Sequence, residues 1–159
     1  MRRTCLLVFA ACAALAVPAL ADFASGVAAY EKGDFATAAK DWQEEATAGN
    51  AEAQFNLGLL YVDGKGVAQN FAEAAVWFRR AADQGYAKAQ HNFGAMLGSG
   101  QGVRRDYESA YMWMSLCAAQ NTPGCAEQRD ELATKLSKSK LEHAQHRARD
   151  WQPTKAQQP

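Results

Sequence analysis

An all-α solenoid, an α/α superhelix of helix-turn-helix units closed by a C-terminal helical cap, is the fold class that three features of this 159-residue chain predict. The first is an internal repeat. A shift of 36 positions carries Ala53-Gln54-Phe55-Asn56-Leu57-Gly58 onto Ala89-Gln90-His91-Asn92-Phe93-Gly94 and Gly64-Lys65-Gly66-Val67 onto Gly100-Gln101-Gly102-Val103. The same shift carries Asn70-Phe71 onto Asp106-Tyr107 and Trp77 onto Trp113. A period in this range marks a solenoid.

The second feature is the pattern inside each copy. Between Ala51 and Val62 the apolar residues Phe55, Leu57, Leu59, Leu60 and Tyr61 mix with small ones, which predicts a first helix. Gly58 in its middle predicts a neighbouring backbone pressed close. Gly64 and Gly66 end that helix. Asn70, or Asp106 in the next copy, then offers a side-chain oxygen to the free N–H groups of a second helix, and Glu73 gives a capping-box-like spacing. This second helix runs from Phe71 to about Gln84, buries Ala74, Ala75, Trp77, Phe78, Ala81 and Ala82, and stops at Gly85. The third feature is incompleteness: neither helix can bury its apolar face alone, so neighbouring copies must stack.

Taken in order, residues 1–21 carry Arg2 and Arg3, an apolar run from Cys5 to Val17, then Pro18 and Ala19-Leu20-Ala21. That is the layout of a secretory signal cleaved after Ala21. A membrane anchor would need a longer span without a terminal helix breaker. A twin-arginine signal would want Phe where Cys5 stands, and a lipidation site at Cys12 would be headed by the ill-suited Phe9. The expectation is export, into a bacterial periplasm, with no membrane-integral segment after cleavage. Losing Arg2 and Arg3 lowers the basic count from 17 to 15, against 17 acidic residues. A slightly acidic chain with no basic block argues against nucleic acid as a partner.

Residues 22–151 are expected to form one repeat domain, with copies at about 23–49, 51–85 and 87–121 and a cap over 124–151. The first copy is degenerate: Asp34-Phe35 stands for Asn70-Phe71, and Ala38, Ala39, Trp42, Ala46 and Gly49 stand for Ala74, Ala75, Phe78, Ala82 and Gly85. Gly33 alone replaces the double-glycine loop, and Gly26 takes the part of Gly58. After Gln120, Asn121-Thr122-Pro123-Gly124 predicts a turn, Cys125 to Lys135 a helix, Ser137 to Ser139 a polar break, and Leu141 to Trp151 a last helix. Trp151 is expected to fold back onto the stack. Residues 152–159, polar with two prolines, should be loose.

The Ala-Gln-x-Asn-x-Gly run, the Gly-x-Gly-Val loop and the aromatic-alanine second helix resemble Sel-one-like repeats, relatives of the tetratricopeptide repeat, over Phe23 to Trp151. The resemblance implies a scaffold that binds proteins or peptides and does not by itself imply a reaction. It also implies where a ligand would lie. Positions beside the Leu57-Gly58 and Phe93-Gly94 pairs would face a concave groove: Glu52, Phe55, Asn56 and Leu59 in one copy, Lys88, His91, Asn92 and Ala95 in the next. A carboxamide can pair with an extended peptide backbone, which makes Asn56 and Asn92 the leading candidates. Phe55 and Leu59 would add apolar contact, and Lys88 would meet a negative group. The competing role for both asparagines is to satisfy backbone groups inside the stack.

Three further constellations carry possible chemistry. Cys117 and Cys125 fall on the repeat positions of Ala81 and Ala89, where backbones approach closely, and cysteines eight apart at this junction are similar to the bridged branch of the same family. A disulfide is the expectation, with two buried thiols as the competing reading. His143 and His146 share a helical face, but a zinc site needs a third protein ligand and His91 belongs to a distant copy, so solvated surface histidines are expected. Ser137-x-x-Lys140 matches the short nucleophile pattern of penicillin-recognising enzymes, an activity assigned to cysteine-rich relatives, yet no partner motif accompanies it. The chain therefore reads as a scaffold rather than an enzyme, with no cofactor and no metal. The alternative is a β-lactam-binding or cell-wall-active enzyme. Trp42, Trp77, Trp113 and Phe78 recur at repeat positions as core residues do.

Overall fold

The computed structural model describes residues 23–154, so the expected signal at 1–21 and the end of the tail lie outside the described residues. Eight helices follow one another: α1 (Phe23–Glu31), α2 (Phe35–Thr47), α3 (Ala51–Asp63), α4 (Phe71–Asp83), α5 (Ala87–Ser99), α6 (Tyr107–Ala119), α7 (Cys125–Ala133) and α8 (Lys138–Asp150). Among the described residues there is no strand. From α2 to α7 each helix packs against the one before it, and α8 returns to α6. Helices α1, α3 and α5 are the first members of the three repeats; α2, α4 and α6 are the second.

Local chemistry sets the ends. Asn70 and Asp106 accept from the N–H groups two and three residues ahead and so cap α4 and α6, as the spacing predicts. Asp34 caps α2 through the Thr37 N–H, and Asn50 caps α3 in the same manner. The stripe Ala74, Ala75, Trp77, Phe78, Ala81 and Ala82 is buried throughout. Alanine there lets helices approach closely, while Trp77 and Phe78 in the middle turn fill the space against neighbouring helices.

Gly58 makes room for a side chain, which corrects the expectation of a backbone neighbour. A Cβ there would stand 2.6 Å from Cε1 of the Phe78 ring. Gly26 does the same for the Trp42 indole in the first copy. The second loop glycines do more than break a helix. Gly66 (φ +70°) and Gly102 (φ +71°) lie so close to the Phe35 and Phe71 carbonyls that a Cβ would overlap them. Each loop thus seats itself on the first turn of the preceding repeat's second helix, a position only glycine can fill.

The cap closes the far end. Cys117 and Cys125, both fully buried, form a disulfide that ties the end of α6 to the start of α7, with Cα atoms 5.9 Å apart. The Trp151 ring meets Trp113 edge-on at 6.0 Å, so the chain does fold back onto the stack. The tail begins less loosely than expected: the Thr154 N–H and hydroxyl both donate to the Asp83 carbonyl, at 2.7 and 3.0 Å. That carbonyl is one of the last in α4, where a helix leaves acceptors unpaired. The expected polar break at Ser137 to Ser139 is narrower in fact, because Ser137 already caps α8.

Candidate functional site

The face built by α1, α3 and α5 carries two hollows on either side of Leu59. The first, of about 370 Å³, is lined by Val27 and Tyr30 of α1, Trp42 of α2, and Asn56, Leu60 and Asp63 of α3. The second, of about 320 Å³, lies between Val62 of α3 and Asn92, Ala95, Met96 and Ser99 of α5, with Phe78 at its base. Both volumes fall near the lower end of the ~300–1,000 Å³ range usual for ligand clefts. The repeat register that aligns Asn56 with Asn92 therefore places one carboxamide in each hollow.

Neither carboxamide has a hydrogen-bond partner among the described residues, and both side chains are half-buried. The work that Asn56 and Asn92 would do inside the stack is done by glutamines instead. Gln54 Nε2 donates to the Ala46 carbonyl at 3.0 Å while its oxygen accepts from Gln84 at 2.8 Å. One repeat on, Gln90 Nε2 donates to the Ala82 carbonyl at 3.3 Å and its oxygen accepts from Gln120 at 2.9 Å. Each strap joins the C-terminal turns of two successive second helices through a buried first-helix glutamine. The signal is present in the sequence, since Gln54 aligns with Gln90 and Gln84 with Gln120 at the repeat spacing.

The remaining predicted positions divide. Leu59 and Ala95 line the hollows with the asparagines, and Glu52 and Lys88 are exposed at the starts of α3 and α5. Phe55 is only 9% exposed, with its ring tilted against Phe78 (5.7 Å) and Tyr86 (5.3 Å), so it belongs to the packed core rather than to an open surface. Burial first, and the negative charge of Glu52 second, raise the Tyr86 phenol above its ordinary range. His91 is approached from the cap side: Gln128 Nε2 of α7 lies 2.8 Å from His91 Nε2. Asn56, Leu59, Asn92 and Ala95 line the two hollows, together with Val27 and Tyr30 of α1, which sequence reasoning did not name.

The other constellations resolve separately. His143 meets Glu108 of α6 and His146 meets Asp150 of its own helix, so the two imidazoles turn to different carboxylates. Among the described residues no three His, Cys, Asp or Glu side chains converge as a metal site would require. The Ser137 hydroxyl accepts from the Lys140 N–H at 3.4 Å, the geometry of a helix cap. No described helix is long and apolar enough to cross a membrane.

Paired helices in register, glycine-seated loops and recurrent straps define a helical-repeat solenoid. The family model described as Sel1 repeat matches residues 51–86 and 87–121, so the chain carries two Sel1 repeats. Its structure is similar to that of c5321, described as a protective antigen present in uropathogenic Escherichia coli strains and displaying an SLR fold. The TM-score is 0.75 at 29% identity over 81% of this chain and 28% of the other. It is also similar to a Sel1 repeat protein from Oxalobacter formigenes, with a TM-score of 0.59 and 31% identity over 66% of this chain and 46% of that one. This chain thus spans less than half the length of either solved relative. No curated protein matches it.

Proposed function

We propose that this chain is an exported, non-enzymatic scaffold that binds an extended peptide segment of a partner protein across the concave face of its first helices. The observation that carries the proposal is the pair of unpartnered carboxamides, Asn56 and Asn92, held in register in adjacent hollows. A carboxamide offers both a donor and an acceptor, the complement of a peptide backbone unit, and a repeat presents that complement at regular intervals. Leu59 between the hollows, with Tyr30 and Met96 at their outer ends, supplies apolar surface for side chains. A stacked array holds these groups rigidly, so docking costs little ordering of the scaffold. The signal layout of residues 1–21 supports the exported compartment, a bacterial periplasm, and the buried disulfide suits an oxidising one.

The test is replacement of Asn56 and Asn92 by Ala in one variant. Partner capture in the native compartment should fall while the melting temperature stays within about 2 °C of the parent, because neither side chain bonds within the fold. A variant that melts far lower with unchanged capture would give the asparagines to the stack.

A further inference from the structure

The repeat geometry leaves one seat of the array without its loop. Gly66 covers the first turn of α2 at Phe35, and Gly102 covers the first turn of α4 at Phe71. By the same register the loop of a following repeat would cover the first turn of α6 at Tyr107. Here α7 and α8 follow instead. The end of α7 partly imitates a loop: Lys135 stands over the Tyr107 ring at 5.5 Å, as Lys65 of the repeat loop stands over Phe35 at 5.5 Å. The turn then moves on to Ser137 without a glycine loop, and a cleft of about 620 Å³ remains between α6 and the α7–α8 turn.

The charge of that cleft is one-sided once its own bonds are counted. Arg104, Arg105, Lys135 and Lys140 line it, with Asp106 and Glu108 as the only acidic residues. Asp106 is committed to capping α6 through the N–H groups of Glu108 and Ser109 and the Ser109 hydroxyl. Glu108 is committed to His143 and Arg147. Lys135 pairs with Glu131, and Arg105 lies against the other part of Tyr107 at 5.5 Å. Arg104 and Lys140 have no acidic partner among the described residues. Beneath these cations the cleft has an apolar floor, Leu97 and Leu136 with the Tyr107 ring.

We infer that this cleft binds a short acidic peptide segment of a partner protein, laid along the first turn of α6 that no repeat loop covers. The choice of a peptide rests on the other two seats, where the array already receives a loop's backbone on the same turn. An apolar floor under a cationic rim matches a chain that interleaves carboxylates with aliphatic side chains, and fits a bare inorganic anion less well. The site is distinct from the Asn56–Asn92 face and does not depend on it.

The probe is an acetyl- and amide-capped Leu-Asp-Glu-Leu-Glu peptide, titrated calorimetrically into the protein at about 30 mM salt, where screening is weak. Binding is expected, and its loss is expected when Asn and Gln replace the acids in the peptide. Arg104→Glu with Lys140→Glu should weaken binding about tenfold or more, since two exposed charges are each reversed. Neither side chain has a partner to lose, so the variant should melt like the parent; if it does not fold, Arg104→Gln with Lys140→Gln serves, with a smaller loss in the same direction. Asn56→Ala with Asn92→Ala should leave this affinity unchanged, which separates the outcome from that of the first-helix face. No binding, equal binding by the charge-reversed protein, equal binding of the amide peptide, or binding of inorganic phosphate or anionic phosphatidylglycerol vesicles in place of the peptide would each overturn the inference.

Discussion

Replacing Gln90 by Met tests whether the buried glutamine straps hold the repeats together. Gln90 is fully buried, and methionine keeps its length and approximate volume while removing both polar atoms. Two hydrogen bonds disappear: the donation to the Ala82 carbonyl and the acceptance from Gln120. Each is worth about 1 kcal/mol net. The loss should not grow much beyond their sum, because neither partner is orphaned. The Ala82 carbonyl keeps the Gly85 N–H at 2.9 Å, and Gln120 keeps the Gly85 carbonyl at 3.2 Å. The predicted cost is therefore about 2 kcal/mol, or about 6–8 °C in melting temperature for a domain of this size. Circular dichroism on reversible thermal unfolding reads it directly. A Gln90→Met protein that melts within about 1 °C of the parent, or above it, would refute the claim that the strap contributes to cohesion between repeats.

Other perturbations follow from the same geometry. Gly58→Ala forces a Cβ to within 2.6 Å of the Phe78 ring, which is itself almost fully buried, and should cost about 2 kcal/mol in urea unfolding. Gly102→Ala combines a left-handed backbone (φ +71°) with overlap on the Phe71 carbonyl, so it should cost at least as much and should loosen exchange protection in α4 and α6 together. Reducing the Cys117–Cys125 disulfide, which closes a loop of sequence separation 8, should lower stability by about 2–3 kcal/mol, measured by unfolding with and without reductant. Acid should weaken the helix caps. Burial raises Asp106, but the hydrogen bonds from Ser109 and Glu108 outweigh it and hold the carboxyl below its ordinary range; Thr37 lowers Asp34 in the same way. A depressed folded value means the contribution is complete above the unfolded value, about 3.9, and is lost as pH falls below it through the folded one. Asp34→Asn with Asp106→Asn keeps the caps without the titration, so its melting temperature should fall less steeply than the parent's between pH about 5 and 2.

Much of this architecture was legible because each signal was local or periodic. Asn70 and Asp106 announced their helices through side-chain oxygens that reach only two or three residues, and the Ala74-to-Ala82 stripe declared its buried face through helical spacing. The disulfide followed from repeat register, since Cys117 and Cys125 stand where two alanines mark close backbones. What failed was what depends on a distant partner. Gly58 announces close approach but not by what, and only the fold shows a phenyl ring from the second helix. The resemblance assigns Phe55 to a groove, yet its ring lies buried against Phe78 and Tyr86. Nor does spacing along the chain reveal that Gln128 of α7 reaches the His91 ring. Residues 152–154 read as loose from composition, and no local rule could foresee that Thr154 would find a free carbonyl at the end of α4.

If the first-helix face is the surface that partners touch, site-specific photocrosslinking in the native compartment reads it directly. A photoreactive residue is placed at Ala95, exposed beside the second hollow, and in a separate protein at Val76, which is 44% exposed on the outer side of α4. Discrete crosslinked species at position 95 that vanish on adding Asn56→Ala and Asn92→Ala, with none at position 76, are the predicted result. Crosslinks at position 76 alone, or at position 95 without dependence on either asparagine, would contradict it.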